Sequence, residues 1–221
     1  MKAFLINSVV TFAFLAILIL SAGRLDYGPA WIYAAIGMAT NLLMRLALRG
    51  RPDLARERAN PGAGAEGWDK RLLGFAFLLN VTMLIVAGLD SGRFGWTPAA
   101  AWGWPVAGAL LIVAGSALFV VALNENPFFS AVVRVQRDRG HKVCDSGPYR
   151  IVRHPGNAGL ILGVLGFPAL FASAWSAIPA LLLAALMVAR TALEDAALAR
   201  ELPGYRDYRR ATRYRLAPGV W

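Results

Sequence analysis

The stretch "ARTALEDAAL" sets Arg190 and Glu194 four residues apart, with Asp195 beside them. Residues four apart are neighbours on a helix, so Arg190, Glu194 and Leu198 share one face and Asp195 lies next to it. Upstream, "GPYRIVRHPGNAG" gathers Tyr149, Arg150, Arg153 and His154 ahead of a long apolar run. Gly147 and Pro148 signal a turn, and Pro155 suits the first turn of a helix starting near His154. The amide groups of that turn, with Arg153 and His154, are expected to form an anion-binding corner. A cationic corner opposite an acidic helix face suits a zwitterionic ligand. Tyr149, Tyr205 and Tyr208 add rings for stacking or for contact with a positive centre. Arg190 would orient a carboxylate through charge-assisted hydrogen bonds, whereas an amine would need Glu194 or Asp195 as a base. A plainer reading stands beside this one: an interfacial Arg190–Glu194 salt bridge, and Arg150 and Arg153 as topology anchors.

Composition defines the elements that must hold these groups. The chain has 221 residues, 57% hydrophobic and 16% charged, against roughly 25% charged in soluble domains. It reads as an all-α integral membrane protein. A spanning helix needs about 20 mostly apolar residues, and six segments qualify or nearly do: Ala3 to Ala22, Pro29 to Leu48, Leu72 to Leu89, Trp102 to Leu123, Ala158 to Ala172, and Ala177 to about Leu198. The last two, joined by the short "ASAWS", form a helical hairpin, with Pro168 and Pro179 expected to kink its arms or mark helix ends. All 23 Lys and Arg except Arg24 and Arg93 fall on the same side of these spans, which places both termini in the cytoplasm. The first segment also resembles a secretory signal peptide, but its apolar run is longer and further spans follow.

The formal charge of +10 is therefore a topology signal with some attraction to anionic headgroups, not the mark of a nucleic-acid partner. Cys144 is the only cysteine and His141 and His154 the only histidines, so neither a disulfide nor a metal centre is expected. "RGRPDLARERANPGAGAEGWDKR" reads as a short surface helix and a loop without chemistry. The chain divides into a four-helix membrane region, 1–123, and a loop, hairpin and tail, 124–221, that carry the site residues.

That second part resembles the isoprenylcysteine carboxyl methyltransferase family and the related phospholipid N-methyltransferases, membrane enzymes that use S-adenosylmethionine. The resemblance rests on "GHKVCDSGPYRIVRHPGNAG", "ARTALEDAAL", "GYRDYRRATRYRLAPGVW" and, more loosely, "NENPFFSAVVRVQ". It implies that His141, Lys142, Val143 and Cys144 line an adenine pocket, mostly through backbone. It also implies that Tyr149, Arg153, His154, Pro155, Gly156 and Asn157 form the cofactor site with Tyr205 and Tyr208. Glu194 would hold the amino group of the methionine moiety, and Arg190, with Asn126, would face the methyl acceptor. Arg134, or Gln136 as its near alternative, would add a polar group to the cofactor site. Asn157 stands where the family usually has Tyr, Asp195 replaces the second Glu of a usual pair, and "NPFFS" departs from the eukaryotic prenylcysteine enzymes.

The resemblance implies methyl transfer to a lipophilic, amphiphilic acceptor, a carboxylate favoured, entering from the inner leaflet, and abundant Ala and Arg point to a GC-rich genome and so to a bacterial plasma membrane. The alternative is an NADPH-dependent membrane reductase of the sterol-reductase type, a class with a similar Gly-x-Tyr and Arg-His-Pro arrangement, and a non-enzymatic membrane protein is the third class.

Overall fold

A computed structural model describes residues 2–61, 64–98 and 103–221. The described residues form eight α-helices and no β-strand: α1 (Lys2–Ala22), α2 (Gly28–Ala47), α3 (Pro52–Ala59), α4 (Gly67–Ala87), α5 (Gly103–Glu125), α6 (Pro155–Leu170), α7 (Ala177–Glu201) and α8 (Tyr205–Ala211). α4 continues as a π-helical extension, Gly88–Phe94. Proline sits in the first turn of α2, α3 and α6, where its missing N–H has no partner to lose. Pro203 comes one residue after Leu202, the C-cap of α7, where it cannot continue the helix into the tail.

Five of these helices are long and apolar enough to cross a bilayer. The sixth expected span is α6, and it is shorter than a span should be at 16 residues. Trp102, at the expected start of the fourth span, lies outside the described residues. Pro168 falls in the last turn of α6 and Pro179 in the first turn of α7, so both mark helix ends. The expected surface helix is α3.

The outer surface of the bundle is apolar. Leu20 is 73% exposed, Leu110 63% and Phe75 60%, as suits helices whose solvent is hydrocarbon. Inside, Leu18, Tyr27, Met83, Leu84, Phe167 and Phe171 pack together in one apolar cluster. α5 and α6 meet through glycines at matched spacing. A Cβ on Gly108 would lie 2.6 Å from the Gly166 carbonyl oxygen, and one on Gly115 2.4 Å from that of Gly159. Only hydrogen at those Cα atoms lets the two backbones touch, the small-residue packing that membrane helices use without a hydrophobic driving force between them.

The charged segments collect at one end. Glu57 of α3 bonds Ser130 and Arg134, and the start of α4 grips the loop, with Glu66 N–H donating to Val133 O and Val133 N–H to Asp69 Oδ2. At the opposite end, Arg93 donates to Leu20 O. There the buried Asp90 accepts from Thr97 and Ser173 and fastens the α6–α7 turn.

Candidate active site

At the charged end, α6, α7, the 126–154 loop and the first part of the tail enclose a narrow cleft of about 100 Å³. Of the site residues expected from the sequence, all line it except Gln136, Pro155 and the alternative base Asp195. Gln136 is fully buried, and its amide donates to Phe128 O at 2.6 Å, so it shapes the loop behind the cleft wall. Pro155 is buried in the first turn of α6.

Two ionic centres lie side by side along α7. Arg190, Glu194 and Leu198 do share the cleft-facing side of the helix. The shortest ionic contact of Arg190 is nevertheless not to Glu194. Its Nε donates to Asp69 Oδ1 at 2.7 Å and its Nη2 to Asp69 Oδ2 at 3.4 Å, while Glu194 Oε2 stands 3.6 Å from Nη1. Asn157 bridges the elements: Nδ2 donates to Glu194 Oε2 at 2.8 Å and to Thr191 Oγ1 at 3.1 Å, and Oδ1 accepts from Arg190 Nη1 at 3.5 Å. The Asn that stands in the place of a ring thus ties α6 to the charged face of α7. These contacts of Glu194 all use Oε2, and its side chain is 24% exposed, the most open of the acids in the cleft.

Asp195 is different in every respect. Its side chain is 1% exposed. Arg153 grips it in a bidentate pair, Nε to Oδ1 at 2.8 Å and Nη2 to Oδ2 at 3.2 Å. Tyr205 OH donates to Oδ1 at 2.9 Å, Arg215 Nε to Oδ2 at 3.1 Å, and His154 Nε2 lies 3.3 Å from Oδ1. A carboxylate so surrounded is no free base, which removes Asp195 from the base role expected beside Glu194. Burial beside that carboxylate also pushes the Tyr205 hydroxyl far above its ordinary pKa, so it remains a donor.

The expected anion-binding corner is likewise closed. Arg153 N–H donates to Tyr214 O and His154 N–H to Arg215 O, both at 2.9 Å. Arg153 Nη1 donates to the carbonyls of Thr212 and Arg213. These donors hold the tail instead of facing a ligand. The terminal Pro-Gly-Val-Trp then has a structural reading: Arg215 and Leu216 N–H donate to Trp221 O, and the Arg215 guanidinium lies 4.5 Å from the Trp221 ring.

The aromatic residues are struts. Tyr208 OH donates to Tyr149 O at 2.7 Å, and Tyr149 OH donates to Ala122 O at 3.3 Å and lies 3.4 Å from Asn126 Nδ2. Burial raises the pKa of both phenols. Arg134 is buried against Glu57, with Nη2 at 2.6 Å, and reaches Asp138 at 3.0 Å; those acids hold its pKa above the ordinary value. His141 stacks on Phe128 at 4.6 Å, and its Nδ1 accepts from Gln136 N–H at 3.2 Å. Burial and nearby arginines lower its pKa to about 4, so the ring is neutral at pH 7.

Sequence reasoning missed Asp69 and Glu57, both in the stretch read as free of chemistry. The available signal was Asp69 at the head of an apolar run, where a carboxylate needs a partner. Also missed were Phe128, Phe129, Val132, Val133 and Leu202 of the cleft wall.

An all-helical chain with an apolar exterior and an ion-paired cleft at one end fits a membrane protein with a lipid-boundary site. The sequence model of the isoprenylcysteine carboxyl methyltransferase (ICMT) family matches residues 107–200, running from α5 to the end of α7 and including the loop, the Gly147–Arg150 turn and α6. The match indicates a methyltransferase and bears out the resemblance seen in the sequence. No curated protein matches the chain.

Proposed function

We propose that this chain is an integral membrane methyltransferase that takes S-adenosylmethionine from the cytosol and methylates a lipophilic acceptor, most readily a carboxylate. The observation that carries this reading is the neighbouring pair on α7. Arg190 and Glu194, joined through Asn157, open on one cleft that also holds the 141–144 segment.

The residues fit the cofactor's groups. Glu194 offers a carboxylate to an ammonium, with Oε1 taking no part in the contacts to Asn157, His154 and Arg190. Lys142, Val143 and Cys144 offer a backbone-lined wall, and Leu198 and Leu202 an apolar floor. When bound, S-adenosylmethionine supplies an electrophilic methyl group on its sulfonium. The protein's part is alignment and exclusion of water, which can supply several kcal/mol without covalent help. Asp69 fixes the Arg190 guanidinium from one edge, leaving Nη1 on the side of Asn157 and Glu194, where it can orient an acceptor carboxylate. Such an acceptor needs no base, which accords with Asp195 being sealed among cations. Arg153, His154 and Tyr205 act as positioning residues by holding the tail behind the cleft.

The charges gathered at the cleft end support a cytoplasmic location for that end and for both termini. The test is calorimetric titration of S-adenosylhomocysteine into the detergent-solubilised full chain, beside a thermal-shift comparison with NADPH. Binding of the first that is weakened by Glu194→Gln supports the reading; stabilisation by NADPH alone overturns it in favour of a reductase. Incubating membranes with methyl-labelled cofactor and identifying the labelled lipid by mass spectrometry then names the acceptor.

A further inference from the structure

A second cavity lies away from the cleft, within the bundle. It measures about 410 Å³ and is walled by α1, α2, α4, α5 and α6, with the side chain of Arg58 reaching it from α3. Its lining is mostly apolar, and it reaches the lateral surface at Val10 and Leu160, each 41% exposed. Along α6 it runs from Gly159 through Gly163 to Phe167, about 12 Å at helical rise. Its polar residues are mostly satisfied: Asn41 donates to Thr11 and Thr40 to Ile36 O.

Two are not. Among the described residues, Arg58 Nη1 and Asn80 Oδ1 are buried without a hydrogen-bond partner, and both line this cavity. Arg58 has no carboxylate within ion-pair distance among the described residues. Its guanidinium instead lies 5.6 Å from the Phe119 ring and 5.2 Å from that of Phe129. The three buried arginines around the cleft each have an acid: Arg134 has Glu57, Arg153 has Asp195, and Arg190 has Asp69. A guanidinium buried at the edge of a membrane bundle without a counter-charge is costly, and such groups mark ligand sites. Phe129 packs between Gly156, which lines the cleft, and Phe119, which lines this cavity. Its ring packs so closely on Gly156 that a Cβ there would meet it at 2.7 Å, and it stands edge-on to Phe119 at 5.2 Å.

We propose that this groove is a binding site for one bilayer lipid with an anionic headgroup. The headgroup phosphate accepts hydrogen bonds from Arg58, a glycerol hydroxyl donates to Asn80 Oδ1, and one acyl chain lies along Gly159, Gly163 and Phe167. The lateral opening admits a lipid from the membrane, the unpaired cation selects an anionic one, and Phe129, packed between groove and cleft, makes it a resident of the fold and not the reacting molecule. The site stands independently of the methyltransferase reading.

The test uses the full chain, delipidated in detergent and titrated with dioleoyl phosphatidylglycerol or dioleoyl phosphatidylcholine, followed by native mass spectrometry and thermal unfolding. The wild type is expected to retain one phosphatidylglycerol about tenfold more tightly than phosphatidylcholine, the scale of a single charge-assisted contact. Arg58→Met should erase that preference and, by removing an unpaired charge, raise the lipid-free unfolding temperature. Gly163→Leu, at a position where an added Cβ meets nothing within 4 Å, should fill the groove and lose both lipids, and it tests the site even if Arg58→Met does not fold. Preference that persists in Arg58→Met, or undiminished binding in Gly163→Leu, overturns the proposal. Transfer of a labelled methyl group onto the lipid retained in the groove would also overturn it, because the groove would then hold the acceptor.

Discussion

Two regions of α7 that adjoin in sequence have opposite fates. Around Asp195 every donor has an acceptor and the carboxylate is closed off by Arg153, Arg215, Tyr205 and His154. Around Glu194, one residue earlier, the contacts to cationic side chains are longer, at 3.6 and 3.7 Å, all contacts fall on a single oxygen, and the group is left partly open to the cleft. Charge and spacing do not separate these residues; completeness of pairing does. A saturated centre holds the chain together, and an unsaturated one is left with capacity for a ligand.

The sharpest way to break this comparison is to remove each carboxylate in turn. Asp195→Ala leaves Arg153 buried without its partner and should lower stability by about 3–5 kcal/mol, read as the urea midpoint in detergent. Glu194→Gln should barely move that midpoint, yet weaken S-adenosylhomocysteine about tenfold to a hundredfold by calorimetry, at 1.4 kcal/mol per factor of ten. If both variants lose stability equally, the distinction between joint and site is wrong. Asp69→Asn should come next, costing roughly tenfold in kcat/KM for a carboxylate acceptor through a misplaced Arg190, with cofactor affinity retained. Asn157→Ala should weaken cofactor binding about fivefold, the scale of one ordinary hydrogen bond.

The last effect concerns pH. His141 has its folded pKa lowered to about 4 by burial and nearby arginines, against about 6.5 unfolded. Between those values the unfolded chain binds the extra proton and the folded chain does not, so stability falls as pH drops from about 6.5 towards 4. Protonating Nδ1 also removes the acceptor for Gln136 N–H. A His141→Gln variant should flatten this part of the unfolding-temperature profile against pH.

The helices were legible because the bilayer imposes a length and an apolar composition that any reader of the sequence can count. The ends of α2 and α7 fall within a few residues of expectation for that reason. Tyr149, His154, Arg190 and Glu194 were legible as a group because charged and aromatic residues are conspicuous beside apolar runs. Their partners were not. Asp69 and Arg190 are 121 residues apart, and Glu57 and Arg134 are 77 apart, and no local period records such a pairing. Nor does composition tell a ligand-facing arginine from one that staples a tail, which is how Arg153 came to be expected in an anion-binding corner. The Gly108–Gly166 and Gly115–Gly159 approaches were hidden for a related reason: each glycine is unremarked in its own helix, and its meaning appears only when the partner helix is present.

That glycine seam has a consequence for depth. α6 has 16 residues, about 24 Å of helix against about 30 Å of hydrocarbon, and its backbone is locked to α5 so that it cannot slide to compensate. Such hydrophobic mismatch is relieved by thinning the bilayer locally or by letting polar groups sink. Taken up at the His154 end, either adjustment would set that end of α6, and the cleft it borders, below the surrounding headgroup plane. A long-chain acceptor would then meet Arg190 without lifting its tail out of the membrane, and the enzyme would bring the aqueous boundary down to the lipid.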